Sequence, residues 1–586
     1  LFFSSISAGS AVNNPWESQA ITMTPKPTID QVMQAAIRHH QAGRRAQAEK
    51  LYQAVLAQAP DHAHAACLMG VLSHENGEPD AAVNLILRAI SIRPTEARFH
   101  FHLGDVLRDR RRLAEAIAAY RRAIENDDRF FEAYNNLGIA LREFGQLDEA
   151  ISSHHKAIAL QPTDARAWNN LGIALSVIEE PDEAILAYQR AIDLNPNYAQ
   201  AFHNLGKAMA LYDRFDEAIA SFRRATEIKP DFAAAMGDLS NALKHEGKLA
   251  EALDAAAEAA SLKPDAADAH CRYGLMLLRT GELQRGWEEY EWRYKISVPW
   301  SFPQPRWEGD ELRGRTLLLH ADQGLGDSVQ FIRYAPLIAA GGGRVILRCQ
   351  RQLTRLLKGF PGVAQTISED EPLPAFDVHC PLISLPVAFK TSLKNIAGSC
   401  PYIRVSASQI RTWSTRIAAT DHRLKVGLVW AGHPSHSNDR HRSTTLASLS
   451  PLSQCGDIAF YSLQVGAAGV EAADRPAGIK LIDLTPEITD FADTAALIEH
   501  LDLVIGVDTS TAHVAAAMGK PVWVVLPFVA EWRWLVGRLD TPWYPTIRLF
   551  RQPKLNDWPG AIAQLIEPLR NLAARGIAGH MRPRLQ

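Results

Sequence analysis

Gly70, Gly104, Gly138, Gly172, Gly206, Ser240 and Gly274 recur every 34 residues, and no other feature constrains the first half of the chain so tightly. Twelve residues after each of the first six stands an alanine, at Ala82, Ala116, Ala150, Ala184, Ala218 and Ala252, where paired helices must approach closely. Pro60, Pro94, Pro162, Pro196, Pro230 and Pro264 fall on the same grid, and Asp128 is its one gap. Proline cannot continue a helical hydrogen-bond ladder, so each second helix must end there. Such a unit cannot bury its apolar face alone, so the repeats are expected to stack into one superhelix with a concave groove.

The period is that of tetratricopeptide repeats, and YNNLGIALREFGQLDEAISSHHKAIALQP and WNNLGIALSVIEEPDEAILAYQRAIDLNP are two complete instances. Such grooves usually bind protein. Asn136, Asn170 and Asn204 share one position of their repeats, with His102 there one step earlier. Amides in register could bind the backbone of an extended acceptor peptide, which resembles the asparagine ladder of tetratricopeptide-bearing O-GlcNAc transferases. Asparagine is also common at this position in repeats generally, and both readings stand.

Periodicity breaks at PWSFPQPRWEGDELRG, and short β-branched or leucine-rich runs then alternate with amphipathic segments: TLLLHA, RVILRC, KVGLVWA, AFYSLQ, KLIDLT, LDLVIGVD, PVWVVLP and TIRLF. This pattern predicts doubly wound parallel sheets in two lobes, joined near PYIRVSASQIRTWSTRIAATDHRLK. The expected fold class is an all-α superhelix followed by an α/β pair. The expected domains are a disordered leader at 1–28, repeats at 29–296, a linker at 297–310, lobes at 311–405 and 406–575, and a tail at 576–586. Met23 precedes TPKPTIDQ, so residues 1–22 read as an upstream extension or unstructured leader.

The chain has 586 residues, too many for one core, and 62 Lys+Arg against 65 Asp+Glu give no nucleic-acid footprint. Its six cysteines form no CxxC pair, which points to a reducing compartment. No stretch has the length of apolar residues a membrane span needs, and the N-terminus lacks the basic region of a secretory signal. The cytoplasm is the expected location.

Ligands of open α/β sheets lie beyond the carboxyl ends of strands. In HADQGLGDSVQFIRYAPLI, Gly324 and Gly326 form a turn and Asp327 opens a helix, with neither the third glycine of a dinucleotide fingerprint nor a P-loop lysine. Asp327 can serve as a helix cap or as a general base. DTSTAHVAAAMGKP places Asp508, Thr509 and Ser510 where a helix starts, with His513 one turn on. Free N–H groups there suit phosphate, although Ser510 and Thr511 can also be plain caps. VWAGHPSHSNDRHRSTTLASLSPL brings Arg440 and Arg442 beside that site, where either could neutralise departing phosphate, and Gln464 ends another strand. His433 and His436 lack partners at metal-ligand spacing, so no metal is expected. Trp532, Trp534, Trp543 and Tyr544 are expected to pack around the cleft rim.

GLGDSVQFIRYAPLI and DTSTAHVAAAMGKPV together resemble the signature of family 9 glycosyltransferases, the heptosyltransferase-like group with the GT-B fold of two facing Rossmann-like lobes. The resemblance implies an inverting enzyme with Asp327 as base and Gly324, Gly326, Arg440, Arg442, Gln464, Asp508, Thr509, Ser510 and His513 around the nucleotide-sugar. No D-x-D motif of metal-dependent sugar transferases occurs. Repeats fused to such a module resemble bacterial protein glycosyltransferases that modify flagellin in the cytoplasm. That resemblance implies a protein acceptor held by Asn136, Asn170 and Asn204, and a donor such as a CMP-nonulosonic acid or an NDP-hexose. The catalytic pattern of family 41 is not found. A lipopolysaccharide-type transferase and a non-enzymatic adaptor are the alternatives.

Overall fold

The structure is a computed structural model that describes residues 27–417, 423–436, 438–474, 476 and 478–575. The expected tail, and the expected leader up to residue 26, lie outside the described residues. The chain divides into two compact units, Leu1–Asn197 and Tyr198–Gln586.

In the first unit the described residues form helical hairpins, from Ile29–Gln41 with Arg45–Gln58 to Ala165–Val177 with Pro181–Leu194. The repeat register explains the packing. Ala82, Ala116, Ala150 and Ala184 are fully buried, and each glycine faces the side chain sixteen residues on. A Cβ on Gly104, Gly138 or Gly172 would meet the ring of Tyr120, His154 or Tyr188 at 2.5, 2.7 or 2.6 Å. The grid prolines Pro60, Pro94 and Pro162 follow the helix caps Ala59, Arg93 and Gln161. Thr28 starts the array with a reciprocal cap, accepting from Gln31 N at 3.3 Å while Gln31 Oε1 accepts from Thr28 N at 2.9 Å.

The second unit opens with three more hairpins, ending in Ala267–Thr280 and Leu283–Tyr290, and continues into two parallel sheets. The first contains β1 (Thr316–His320), β2 (Arg344–Cys349), β3 (Val363–Ser368) and β4 (Val378–Pro381), in the order β3-β2-β1-β4. β3 and β4 were not legible in the sequence. β3 is an edge strand with two of its six residues exposed and two half-buried, and β4 has only four residues, including His379 and Pro381. The second contains β5 (Leu424–Val429), β6 (Ile458–Ser462), β7 (Leu481–Asp483), β8 (Leu503–Val507), β9 (Val522–Leu526) and β10 (Ile547–Arg551), in the order β10-β9-β8-β5-β6-β7. That is the dinucleotide-fold order, with its switch point between β5 and β8. The architecture is a tetratricopeptide superhelix followed by a GT-B-like α/β pair.

One hydrophobic core joins the last repeat to both sheets. Trp287 is fully buried and meets Phe331 and Trp532 edge to face, at 5.6 and 4.9 Å between centroids. Trp534, Trp543 and Tyr544 are buried in the same core, which makes the aromatic block packing. No helix among the described residues is long and apolar enough to cross a membrane.

Candidate active site

β8 ends at Val507, and Asp508 and Thr509 lead into the helix Ser510–Ala517. Thr509 is the extended N-cap residue, yet its side chain caps nothing, and its buried Oγ1 has no partner among the described residues. The helix therefore presents free N–H groups and an unused hydroxyl at the switch point, an arrangement suited to a phosphate. Its first turn packs against the helix Leu325–Phe331 of the first lobe, where a Cβ on Gly326 would come within 2.9 Å of the His513 ring. Gly326 thus permits close approach of the lobes. Gly324 is the N-cap residue of its helix.

Asp327, Asp508, His513 and Arg533 converge here. Asp327 Oδ2 accepts from Gly324 N at 3.1 Å, while Oδ1 accepts from Arg533 Nη2 across the cleft. The cap and the charged group are one residue. Asp508 accepts from Trp534 Nε1 at 2.7 Å and lies 3.7 Å from His513 Nε2. His513 Nδ1 shares a hydrogen bond of 2.8 Å with the Tyr544 hydroxyl. Burial alone would raise Asp508, but His513, Arg533 and Trp534 hold it well below the usual carboxylate range. Burial pushes His513 below the usual imidazole value, which favours the neutral ring. Burial opposes the charge on Arg533, but Asp327, Asp508 and Glu531 outweigh it and raise the guanidinium.

Asp322 was missed by the sequence reading. It lies two residues beyond β1, in the loop that leads into the Asp327 helix, so its position past a strand end was the available signal. One oxygen accepts from the Tyr294 hydroxyl, and the buried Oδ1 has no partner among the described residues. Burial pushes its carboxyl up to about 6, with Asp327 and Glu291 adding to the rise. Arg293, from the end of the repeat array, donates to the Tyr294 hydroxyl at 2.8 Å and to Ser384 Oγ, just past β4, at 2.9 Å.

The loop after β5 carries the remaining basic residues. Arg442 Nε lies 3.4 Å from Asp439 Oδ1 and its guanidinium covers Gly432, whereas Arg440 is exposed and reaches Asp213 at 3.5 Å. Gln464 is committed to the protein itself: Oε1 accepts from Trp430 N and Ala431 N at 3.0 and 2.8 Å, and Nε2 donates to Ala431 O at 3.1 Å. His433 bonds Ser435, and among the described residues no group of three or more potential ligands gathers around a metal position.

In the first unit, Asn136 Nδ2 donates to Asp105 at 2.9 Å, and Asn170 Nδ2 donates to Asn135 at 3.0 Å. Both amides therefore also link neighbouring repeats. A cavity of about 280 Å³ opens beside Asn136, lined by His102, Asp105 and Arg108 among others. In the second unit, Asn204 Oδ1 accepts from Gln200 Nε2 at 3.1 Å.

Comparison with known proteins gives two kinds of match. Tetratricopeptide repeat models match residues 33–97, 75–129, 101–165, 165–198, 187–220, 213–267 and 238–291. The model for glycosyltransferase family 9 (heptosyltransferase) matches residues 465–525, which include Asp508–His513. Protein FlbA of Caulobacter vibrioides is 28% identical over 332 residues, covering 51% of this chain and 54% of that protein. The chain thus spans about half the length of the curated relative it matches. Among solved structures, MamA is 31% identical with a TM-score of 0.27, covering 30% of this chain and 94% of that one. YrrB, described as a TPR protein with an unusual peptide-binding site, is 26% identical with a TM-score of 0.27, covering 31% and 95%. The APC/C hetero-tetramer Cut9-Hcn1 is 19% identical with a TM-score of 0.36, covering 47% and 54%.

Proposed function

We propose that this chain, which joins tetratricopeptide repeats to a glycosyltransferase family 9 domain, is an inverting, metal-independent protein O-glycosyltransferase acting in the cytoplasm, with flagellin as a candidate acceptor. The observation that carries this reading is the unpartnered Thr509 hydroxyl and free helix N-terminus at the switch point, inside the family 9 match and against the Asp327 helix. The donor diphosphate or phosphate binds Thr509, Ser510 and the Arg442 side of the β5 loop. The helix dipole and arginines supply the charge stabilisation a cation would otherwise provide.

In the reaction, a Ser or Thr hydroxyl oxygen forms a bond to the anomeric carbon as the carbon–oxygen bond to phosphate breaks. The hydroxyl proton passes to Asp327, and the electron pair leaves with the nucleotide. Arg533 bonds Asp327 in the free enzyme, and a donor phosphate that draws this guanidinium away frees the carboxylate. Asp322, whose carboxyl burial pushes up to about 6, lies in the loop that leads into the Asp327 helix. The repeat groove, including Asn136, Asn170 and Asn204, recruits the acceptor.

The test is calorimetry of UDP, GDP, ADP, CMP and their sugars with the wild type and with the double variant Thr509→Val, Ser510→Ala. One nucleotide class should bind, with at least a tenfold loss in the variant. A flagellin incubated with that donor should then gain the sugar mass on Ser or Thr. If no nucleotide binds at millimolar concentration, the transferase reading falls and the chain is a peptide-binding adaptor. Transfer to a lipid-linked saccharide alone would replace the protein acceptor with a lipopolysaccharide-type one.

A further inference from the structure

The turn between the repeat helices Ala199–Leu211 and Phe215–Ile228 meets the loop after β5. Asp213, in that turn, has a left-handed φ of 57°. Its Oδ1 accepts from Arg440 Nη2 at 3.5 Å and its Oδ2 from Asn556 Nδ2 at 3.3 Å. Asn556, which lies between β10 and the helix Trp558–Arg575, shares a bond of 3.2 Å between its Oδ1 and His441 Nδ1. Arg440 Nε closes the circuit on His441 Nε2 at 2.8 Å. A guanidinium has no acceptor, so Nε2 accepts and Nδ1–H donates to Asn556. Every donor around the four residues then faces an acceptor, and His441, 7% exposed, is the buried corner. His245, which ends the next repeat helix Ala233–His245, stacks on Phe215 at 4.4 Å between centroids and lies 6.2 Å from the His441 ring.

Arg440 and His441 belong to the helical turn Asp439–Arg442, whose other residues are tied to the start of the loop. Asp439 Oδ1 accepts from Ser443 Oγ at 2.7 Å and from Arg442 Nε at 3.4 Å, and Ser443 Oγ accepts from Gly432 N at 2.9 Å. Arg442 Nη2 lies 2.6 Å from where a Cβ on Gly432 would stand. Val429 pairs with Gly506 at the carboxyl ends of β5 and β8. Gly432 and Thr509, each three residues past that pair, therefore leave the switch point from neighbouring strands. A lone exposed ion pair would order this turn little, because water competes for both partners. A closed circuit with a buried histidine fixes it in direction as well as place.

We infer that Asp213 is a positioning residue: through Arg440, His441 and Asn556 the repeat array clamps the turn that carries Arg442 to the switch point. The consequence for a donor phosphate rests on the transferase reading, whereas the clamp does not. Arg440 then faces the repeats and Arg442 the ligand.

Asp213→Gly removes the carboxylate, and glycine keeps the left-handed φ without strain. In the full chain, hydrogen exchange across residues 439–444 should become at least fivefold faster, with the helix Ser510–Ala517 unchanged. Asp213→Asn alone should do the same, because whichever way the two amides turn, one donor meets another. The double variant Asp213→Asn, Asn556→Asp reverses one bond, rebuilds the circuit and should restore wild-type exchange. Calorimetry with UDP, GDP, ADP, CMP and the matching nucleosides should show the bound nucleotide at least fivefold weaker in Asp213→Gly and recovered in the double variant. Nucleoside affinity should hold throughout. Wild-type exchange in Asp213→Gly, faster exchange throughout the chain, or no recovery in the double variant overturns the clamp. Faster local exchange with nucleotide affinity unaltered overturns the positioning of Arg442. If exchange behaves as expected but the wild type binds no nucleotide, the clamp stands and the transferase reading fails.

Discussion

Arg533 of the second lobe donates through Nη2 to Asp327 of the first, and its Nε donates to Gln330 Oε1 at 3.1 Å. Only 11% of the arginine side chain and 18% of the aspartate are exposed, so water compensates little if one partner is removed. Arg533→Met strands Asp327 and Asp508 together, and a stability loss of about 3 kcal/mol is expected from the urea midpoint. Adding Asp327→Ala should cost less than its effect in the wild type. Strict additivity would show that the bridge does not couple the lobes.

Asp322 sets a pH dependence of its own. Burial, helped by Asp327 and Glu291, raises its carboxyl to about 6 from an unfolded value near 3.8. Between these values the folded chain keeps a proton that the unfolded chain has lost, so this group's contribution to stability falls as pH rises through that window. A displacement of about two units corresponds to about 3 kcal/mol. Asp322→Asn lacks the group, so its unfolding free energy relative to wild type should rise by up to that amount from pH 4 to pH 7. A constant difference would show that Asp322 titrates normally.

The repeats were legible because Gly70, Gly104, Gly138, Gly172 and Gly206 each answer to a bulky side chain sixteen residues later in the same chain. Where that later residue is Ala256, the position holds Ser240, whose Oγ donates to Ala252 O at 2.6 Å. The loops after β1, β5 and β8 could also be read, because glycine turns and helix starts are local signals. Asp322, Tyr294 and Arg293 could not. Their environment is made by the last repeats folding onto the lobes, and separations such as Arg293 to Ser384 leave no periodic trace. The sequence placed Gln464 at a strand end, but not that its amide would be consumed by the neighbouring loop.

The glycine pairing is testable in the first unit. A Cβ at Gly172 would lie 2.6 Å from the Tyr188 ring, so Gly172→Ala should lower stability by about 1–2 kcal/mol despite better helix propensity. In a Tyr188→Ala background the clash is gone, and the same change should be neutral or stabilising by up to about 1 kcal/mol. Thermal unfolding of the four chains completes the cycle. An equal loss in both backgrounds would mean that the ring does not explain the glycine.

Gln464 offers the clearest separation of structure from binding. Its amide accepts from two backbone N–H groups at the end of β5 and returns a bond to Ala431 O, fixing the loop that leads to Arg440 and Arg442. Gln464→Leu keeps the volume but leaves buried Trp430 N unsatisfied, at a cost of about 2 kcal/mol, and should weaken nucleotide binding through the displaced loop. Gln464→Glu retains the accepting oxygen for both N–H groups and should lose less of each. Thermal unfolding and nucleotide titration of the two variants should therefore move together. A leucine variant as stable as wild type but unable to bind nucleotide would instead place Gln464 directly on the ligand.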